Sequence, residues 1–81
     1  MSAPVPEETS LTIRGEIITL GQLLKVLGLA HTGGAAKELL GDGGIGVNGE
    51  PEDRRGRKLR DGDVVALPDG KRVRIVGGPE P

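Results

Sequence analysis

Residues 44–65 read GIGVNGEPEDRRGRKLRDGDVV, and this stretch decides the fold. Short apolar segments stand at its two ends, around Ile45 and from Val64 onward. Between them lie two dipeptides typical of tight turns, Asn-Gly at 48–49 and Asp-Gly at 61–62. Asn, Asp and Gly tolerate the positive φ that such turns require. The stretch therefore predicts a chain that reverses direction twice, with a short strand on either side.

A cluster of positive charge lies between the two reversals, with five cations in seven residues. We call residues 54–60 the arginine loop, and its cations are Arg54, Arg55, Arg57, Lys58 and Arg60. Phosphate contacts supply most of the sequence-independent affinity for nucleic acid, and guanidinium groups match phosphate oxygens in pairs. The pattern predicts an anion-binding loop. The alternative is a solvated loop balanced by nearby acidic residues, namely Glu50, Glu52, Asp53, Asp61 and Asp63.

The first of two predicted helices begins at Thr19. Thr19 and Gln22 form a capping-box pattern, in which each side chain pairs with a backbone amide at the helix start. Leucines at positions 20, 23, 24 and 27 share one face, and Gly28 is suited to end the helix. Because so short a helix is not stable alone, packing against the rest of the domain must hold it.

The second predicted helix is capped by Thr32 and extends to Leu40. Its first turn contains Gly33 and Gly34, which leave backbone amides bare at the partly positive end of the helix. An anion site and a close approach of the two helices both explain these glycines. His31, the single histidine, is a candidate phosphate donor there or a loop cap.

Strands are predicted outside this central region as well. Residues 11–18 favour a strand or a short hairpin, and residues 64–67 and 73–75 favour strands. The segment at 1–10 holds little to bury and is expected to be a disordered leader, and 77–81 a flexible tail. A single domain at residues 11–76 remains.

Composition excludes several classes of function. The 81 residues include no Phe, Tyr or Trp, so bases cannot stack on aromatic side chains. With no Cys and one His, we expect no metal and no cofactor. The sequence lacks a Ser/His/Asp set and a Gly-rich phosphate loop, so we expect no enzyme activity. Without a long apolar run or a signal peptide, we expect a cytoplasmic protein with no membrane partner.

The net charge of −1 hides how the charges are distributed. Three of the twelve acidic residues lie in the predicted tails, so residues 11–76 hold eleven basic and nine acidic groups. A local basic patch matters more for binding than the sum over the chain.

Residues 19–67 resemble the RNA-binding domain named after ribosomal small-subunit protein four, the alpha-L motif. The resemblance rests on the helix pair TLGQLLKVLGLAHTGGAAKELL, the turn at 48–49 and the strand start at 62–64. The segment RRGRKLRDGDVV and the size of the chain are similar to small stand-alone bacterial members. It implies an α+β fold, with two short helices packed on a small, mostly antiparallel sheet.

This resemblance also implies a function: a non-catalytic module that binds structured RNA, with ribosomal RNA as the expected target. We expect the protein to be a monomer, although the sequence does not determine the oligomeric state. The implied RNA face is lined by His31, Thr32, Lys37, Arg54, Arg55, Arg57, Lys58 and Arg60. Many members place an arginine just after the residue that begins the second helix, where this chain has Gly33 and Gly34. We expect contacts there to pass to backbone amides and to the arginine loop.

Two other functions are compatible with parts of the sequence. The late Gly-Gly at 77–78 and the turns at 48–49 and 61–62 also resemble ubiquitin-like sulfur carriers, although Pro-Glu-Pro follows the glycines. An exposed sheet edge could instead serve a protein-interaction module. Four further cations are candidates to extend the RNA face: Lys25, Lys71, Arg72 and Arg74.

Overall fold

The structure is a computed structural model that describes residues 8–78. Within these residues the chain forms two helices and seven strands: β1 Glu8–Ile13, β2 Ile18–Thr19, α1 Leu20–Val26, α2 Gly33–Gly41, β3 Gly46–Val47, β4 Glu50–Pro51, β5 Lys58–Leu59, β6 Val64–Ala66 and β7 Arg72–Gly77. Neither helix in this part of the chain is long and apolar enough to cross a membrane.

The strands form two sheets. The larger has the order β1-β7-β6-β3-β4, and β2 pairs with β5 in a separate two-stranded sheet. The pairs are antiparallel except for β1 and β7, which run parallel over six residues each. The expected α+β class with a mostly antiparallel sheet is confirmed. The hairpin alternative for residues 11–18 is wrong, because β1 and β2 belong to different sheets.

The first and last strands are longer than the sequence pattern predicted. β1 begins at Glu8 and not at residue 11, because Glu8 pairs with Arg72 in the parallel ladder and its carboxylate binds Arg74 at 3.2 Å. At the other end β7 reaches Gly77, whose amide donates to Asp61 Oδ1 at 2.9 Å. The rest of the predicted leader and tail, residues 1–7 and 79–81, lies outside the described residues.

The core is one aliphatic cluster to which the helices and both sheets contribute. Its fully buried side chains come from both helices and from strands β5, β6 and β7: Leu20, Leu23, Leu24, Leu40, Leu59, Val65 and Ile75. The capping box predicted at α1 is present. The amide of Gln22 donates to Thr19 Oγ1 at 3.2 Å, and the amide of Thr19 donates to Gln22 Oε1 at 3.0 Å. The core thus holds both helices through their buried side chains, whereas the start of α2 is exposed.

Both predicted reversals are present and are bonded to each other. Asn48 has φ 53° and Gly62 has φ 93°, in the left-handed region that tight turns use. Asn48 Nδ2 donates to Asp63 Oδ1 at 3.0 Å, and the amide of Val64 donates to Asn48 Oδ1 at 2.9 Å. The arginine loop therefore runs between two turns that hold each other in place. Its residues Lys58–Leu59 form β5, a strand that the charge pattern did not indicate.

Candidate nucleic-acid interface

The arginine loop packs against the beginning of α1. The amide of Leu20 donates to the carbonyl of Arg57, and that of Gly21 to the carbonyl of Arg55, both at 2.8 Å. These bonds satisfy two of the amides that every helix start leaves without an intrahelical acceptor. A Cβ at Gly21 would lie only 3.3 Å from both Cβ and O of Arg55. The small residue lets the loop approach the helix closely.

Glu52 holds the loop from its inner side. It is 8% exposed, and its carboxylate accepts from Arg54 Nε at 3.0 Å and from Arg57 Nη1 at 2.8 Å. The backbone amides of Asp53 and Arg54 donate to the same carboxylate at 3.2 and 3.1 Å. The hydrogen bond from the Arg54 side chain is the main cause that lowers the pKa of Glu52 from 4.5 to about 2, although burial acts against it. The same contact raises the pKa of Arg54.

The other acidic residues near the loop leave most of its cations unpaired. Asp63 Oδ2 accepts the amide of Arg60 at 2.8 Å, and Asp61 binds the amide of Gly77, so both bond to backbone. Within residues 8–78 three loop side chains have neither an ion pair nor a hydrogen bond: Arg55, Lys58 and Arg60. The balanced-loop alternative therefore applies to Arg54 and Arg57 alone.

The start of α2 is open, and a cation lies beside it. Thr32 Oγ1 accepts the amide of Ala35 at 3.0 Å, but the amides of Gly33 and Gly34 have no acceptor within residues 8–78. The Arg55 guanidinium lies so close to Gly33 that a Cβ there would collide with its Nη1 atom. A cation beside the partly positive end of a helix is unfavourable by itself. An anion bound between them would relieve that repulsion.

Two shallow depressions meet at this point. The first, of about 360 Å³, lies between the helices and includes Lys25, His31, Thr32, Gly33, Arg55 and Gly56 in its lining. The second, of about 490 Å³, is lined by Arg54, Gly56, Arg57, Lys58 and Arg60. Gly56 borders both, and neither lining includes an acidic residue. We call the Lys and Arg residues of the two depressions, together with His31 and Thr32, the basic face: Lys25, His31, Thr32, Arg54, Arg55, Arg57, Lys58 and Arg60.

The structure brings seven of the eight predicted site residues to this face. Lys37 is exposed on α2 and lines neither depression. Lys25, a candidate extension, lines the first one, whereas Arg72 and Arg74 line neither. The sequence reasoning missed Glu52 as the residue that holds the loop. Its spacing of two and five residues before Arg54 and Arg57 was the available signal.

Comparison with known families identifies the class of protein to which this α+β fold belongs. The chain matches the S4 domain family over residues 11–76, so it belongs to that family of RNA-binding domains. The resemblance found in the sequence is thereby confirmed. The match argues against the sulfur-carrier alternative.

A curated relative extends this comparison. The probable ribosome maturation protein RlbA of Bacillus subtilis (strain 168) is 49% identical to the chain over 57 residues. The aligned region covers 70% of this chain and 80% of that relative. No solved structure matches the chain significantly.

Proposed function

We propose that the basic face binds the phosphate backbone of structured RNA, and that the target is ribosomal RNA during ribosome maturation. The observation that carries the proposal is the pair of adjoining depressions, lined by two and four Lys or Arg side chains and by no carboxylate. The S4 domain membership supports the RNA partner, and the B. subtilis relative supports the ribosomal target. Because ribosomes work in the cytoplasm, we place the protein there.

Arg55 has the central role in this proposal. Its carbonyl is fixed on α1, its guanidinium lies at the start of α2, and no carboxylate within residues 8–78 competes for it. Lys58 and Arg60 are exposed and equally unpaired in this part of the chain. Arg54, whose side chain is 72% exposed, retains donors that Glu52 does not use. Arg57 is less exposed and serves mainly to anchor the loop.

The mode of binding follows from what the chain lacks. Without aromatic side chains it cannot stack unpaired bases on aromatic rings, which is how many single-strand binders gain affinity. Phosphate contacts from Arg and Lys fix position on an RNA without reading its bases. The protein then recognises the shape and backbone of a folded RNA, and acts by binding alone.

A titration at several salt concentrations tests the proposal. The probes are a labelled ribosomal RNA hairpin, an unrelated hairpin of equal length and a single strand. Wild-type protein is compared with Arg55→Glu and with Arg72→Glu, a matched charge reversal outside both depressions. We expect log affinity to fall linearly with log salt, and Arg55→Glu to weaken binding by about tenfold or more while Arg72→Glu changes it little.

Three results would count against the proposal. Absence of binding at low salt would remove the RNA-binding function, and equal effects of the two variants would remove the assignment to the basic face. Tighter binding of the single strand than of either hairpin would remove structured RNA as the target while leaving RNA binding in place.

A further inference from the structure

We propose that Glu52 is a positioning residue for RNA binding: it does not touch the RNA, but it holds the arginine loop in the shape that presents Arg55 to the ligand. This inference rests on the proposed function of the basic face. It explains why a carboxylate stands among residues that are to meet phosphates.

Glu52 is itself anchored to the sheet side of the domain. Its amide donates at 3.0 Å to the carbonyl of Ile45, a residue that is 2% exposed. From that fixed point its carboxylate binds Arg54 and Arg57, which stand on either side of Arg55 and Gly56. The amide of Arg57 also donates to the carbonyl of Arg54 at 3.2 Å, which closes a turn. The backbone of Arg55 is therefore held from both sides.

This turn places the arginine loop against the start of α1. Once Arg54 and Arg57 are held, the carbonyls of Arg55 and Arg57 reach the amides of Gly21 and Leu20. That contact leaves the Arg55 side chain directed along the start of α2. Glu52 thus acts on Arg55 through the backbone, without contacting its guanidinium.

A carboxylate at an RNA-binding surface would normally weaken affinity through repulsion of phosphate. Glu52 lines neither depression and is nearly buried, so a ligand on the basic face does not meet it. Its pKa, lowered to about 2, keeps it ionised even in mildly acidic solution. Glu52 orders the arginine loop before binding, and this reduces the conformational entropy lost when RNA binds.

The sign of a charge change separates positioning from simple electrostatics. Glu52→Gln removes a negative charge near the RNA face, so electrostatics alone predicts tighter binding. Positioning predicts weaker binding, by about tenfold, because the loop must be ordered by the RNA itself. The matched control is Asp53→Asn, which makes the same charge change at the next residue. Asp53 is exposed and makes no ion pair within residues 8–78, so this variant should bind as tightly as wild type or tighter.

Amide hydrogen exchange supplies a readout of the loop itself. In Glu52→Gln exchange at the amides of Leu20 and Gly21 should be accelerated by a larger factor than at the amide of Ala36 in α2, because the acceptors of the first two belong to the loop. All measurements are made where circular dichroism shows each protein fully folded. If Glu52→Gln does not fold, Glu52→Asp replaces it: it keeps the charge of wild type but shortens the contact, and it should also bind RNA more weakly.

The outcomes separate this proposal from the one on which it rests. If wild type binds RNA, the positioning role alone would be overturned by Glu52→Gln binding no more weakly than Asp53→Asn. For the replacement Glu52→Asp, the overturning result is binding no weaker than that of wild type. An equal acceleration of exchange at Leu20, Gly21 and Ala36 would also overturn the positioning role, since Glu52 would then support the fold in general and not the loop in particular. Failure of wild type to bind any RNA would overturn both proposals.

Discussion

The two helices begin with the same kind of cap, but their first turns have different neighbours. In each a threonine, Thr19 or Thr32, accepts a backbone amide from the residue three positions later. At α1 the two amides before that one donate to carbonyls of the arginine loop. At α2 the corresponding amides, at 33–34, have no acceptor within residues 8–78.

This difference shows how one local motif can serve structure in one place and binding in another. The threonine cap provides a helix start in both cases, and what covers that start decides its role. Arg55 contacts both helix starts. Its carbonyl accepts the amide of Gly21 in α1, and its guanidinium lies beside Gly33 at the open start of α2. A ligand for α2 would occupy a position analogous to the one that the loop occupies on α1.

Acid should remove the difference between the two helix starts, and this is the largest effect on stability that we expect. The pKa of Glu52 is lowered by folding from 4.5 to about 2. Its contribution to the free energy of unfolding is therefore fully present above pH 4.5 and is lost as the pH falls towards about 2. Protonated Glu52 no longer holds Arg54 and Arg57 as ion pairs, so the loop should leave α1. Thermal unfolding followed by circular dichroism should show Tm falling through this window.

Glu52→Gln provides the control, because other carboxylates titrate in both proteins and cancel in the comparison. The variant should be less stable than wild type at neutral pH. The gap in Tm should close as the pH falls from 4.5 towards about 2. A gap that stays constant over this range would mean that the charge of Glu52 does not hold the loop.

Removing each threonine cap separately compares the two helix starts directly, with a smaller expected effect on stability. Thr19→Ala and Thr32→Ala should each lower the free energy of unfolding by about 1 kcal/mol, the usual cost of losing such a cap. Only Thr32→Ala should weaken RNA binding, by a few-fold, because the loop still covers the start of α1 in Thr19→Ala. Denaturant unfolding and RNA titration of both variants provide the check. Equal losses of RNA affinity would mean that the open start of α2 has no special part in binding.

Much of this arrangement could be predicted from the sequence, because its signals are local. The turn at 48–49, the caps at Thr19 and Thr32 and the charge of the arginine loop each depend on residues a few positions apart. The structure places all of them as expected. Such features need no knowledge of distant partners.

The features that could not be predicted depend on residues far apart in the chain. Glu8 lies in a strand because it pairs in parallel with Arg72 of β7, a residue more than sixty positions later in the chain. Gly21 has no local reason to be a glycine, and its role becomes apparent once Arg55 lies against it. Glu52 is one of five acids near the loop, and although its spacing to Arg54 and Arg57 is a local signal, its burial, which distinguishes it from the exposed Glu50 and Asp53, is set by the fold.

The smallest expected effect tests whether the glycines at 33–34 act alike. A Cβ at Gly34 meets nothing closer than Thr32 Oγ1 at 3.9 Å, whereas a Cβ at Gly33 would displace the Arg55 guanidinium. Both Gly→Ala variants should be as stable as wild type or gain less than about 1 kcal/mol from helix propensity, since the end of an arginine side chain moves easily.

RNA affinity should distinguish the two glycine variants even though stability does not. Gly33→Ala should weaken binding a few-fold and Gly34→Ala should leave it unchanged. Repeating Gly33→Ala in an Arg55→Ala protein completes a double-mutant cycle, in which the second change should have no further effect, because the side chain it displaces is gone. If Gly33→Ala weakens binding equally in both backgrounds, the glycine acts through the exposed amides of α2. Arg55 and the helix start would then be two separate contacts rather than one.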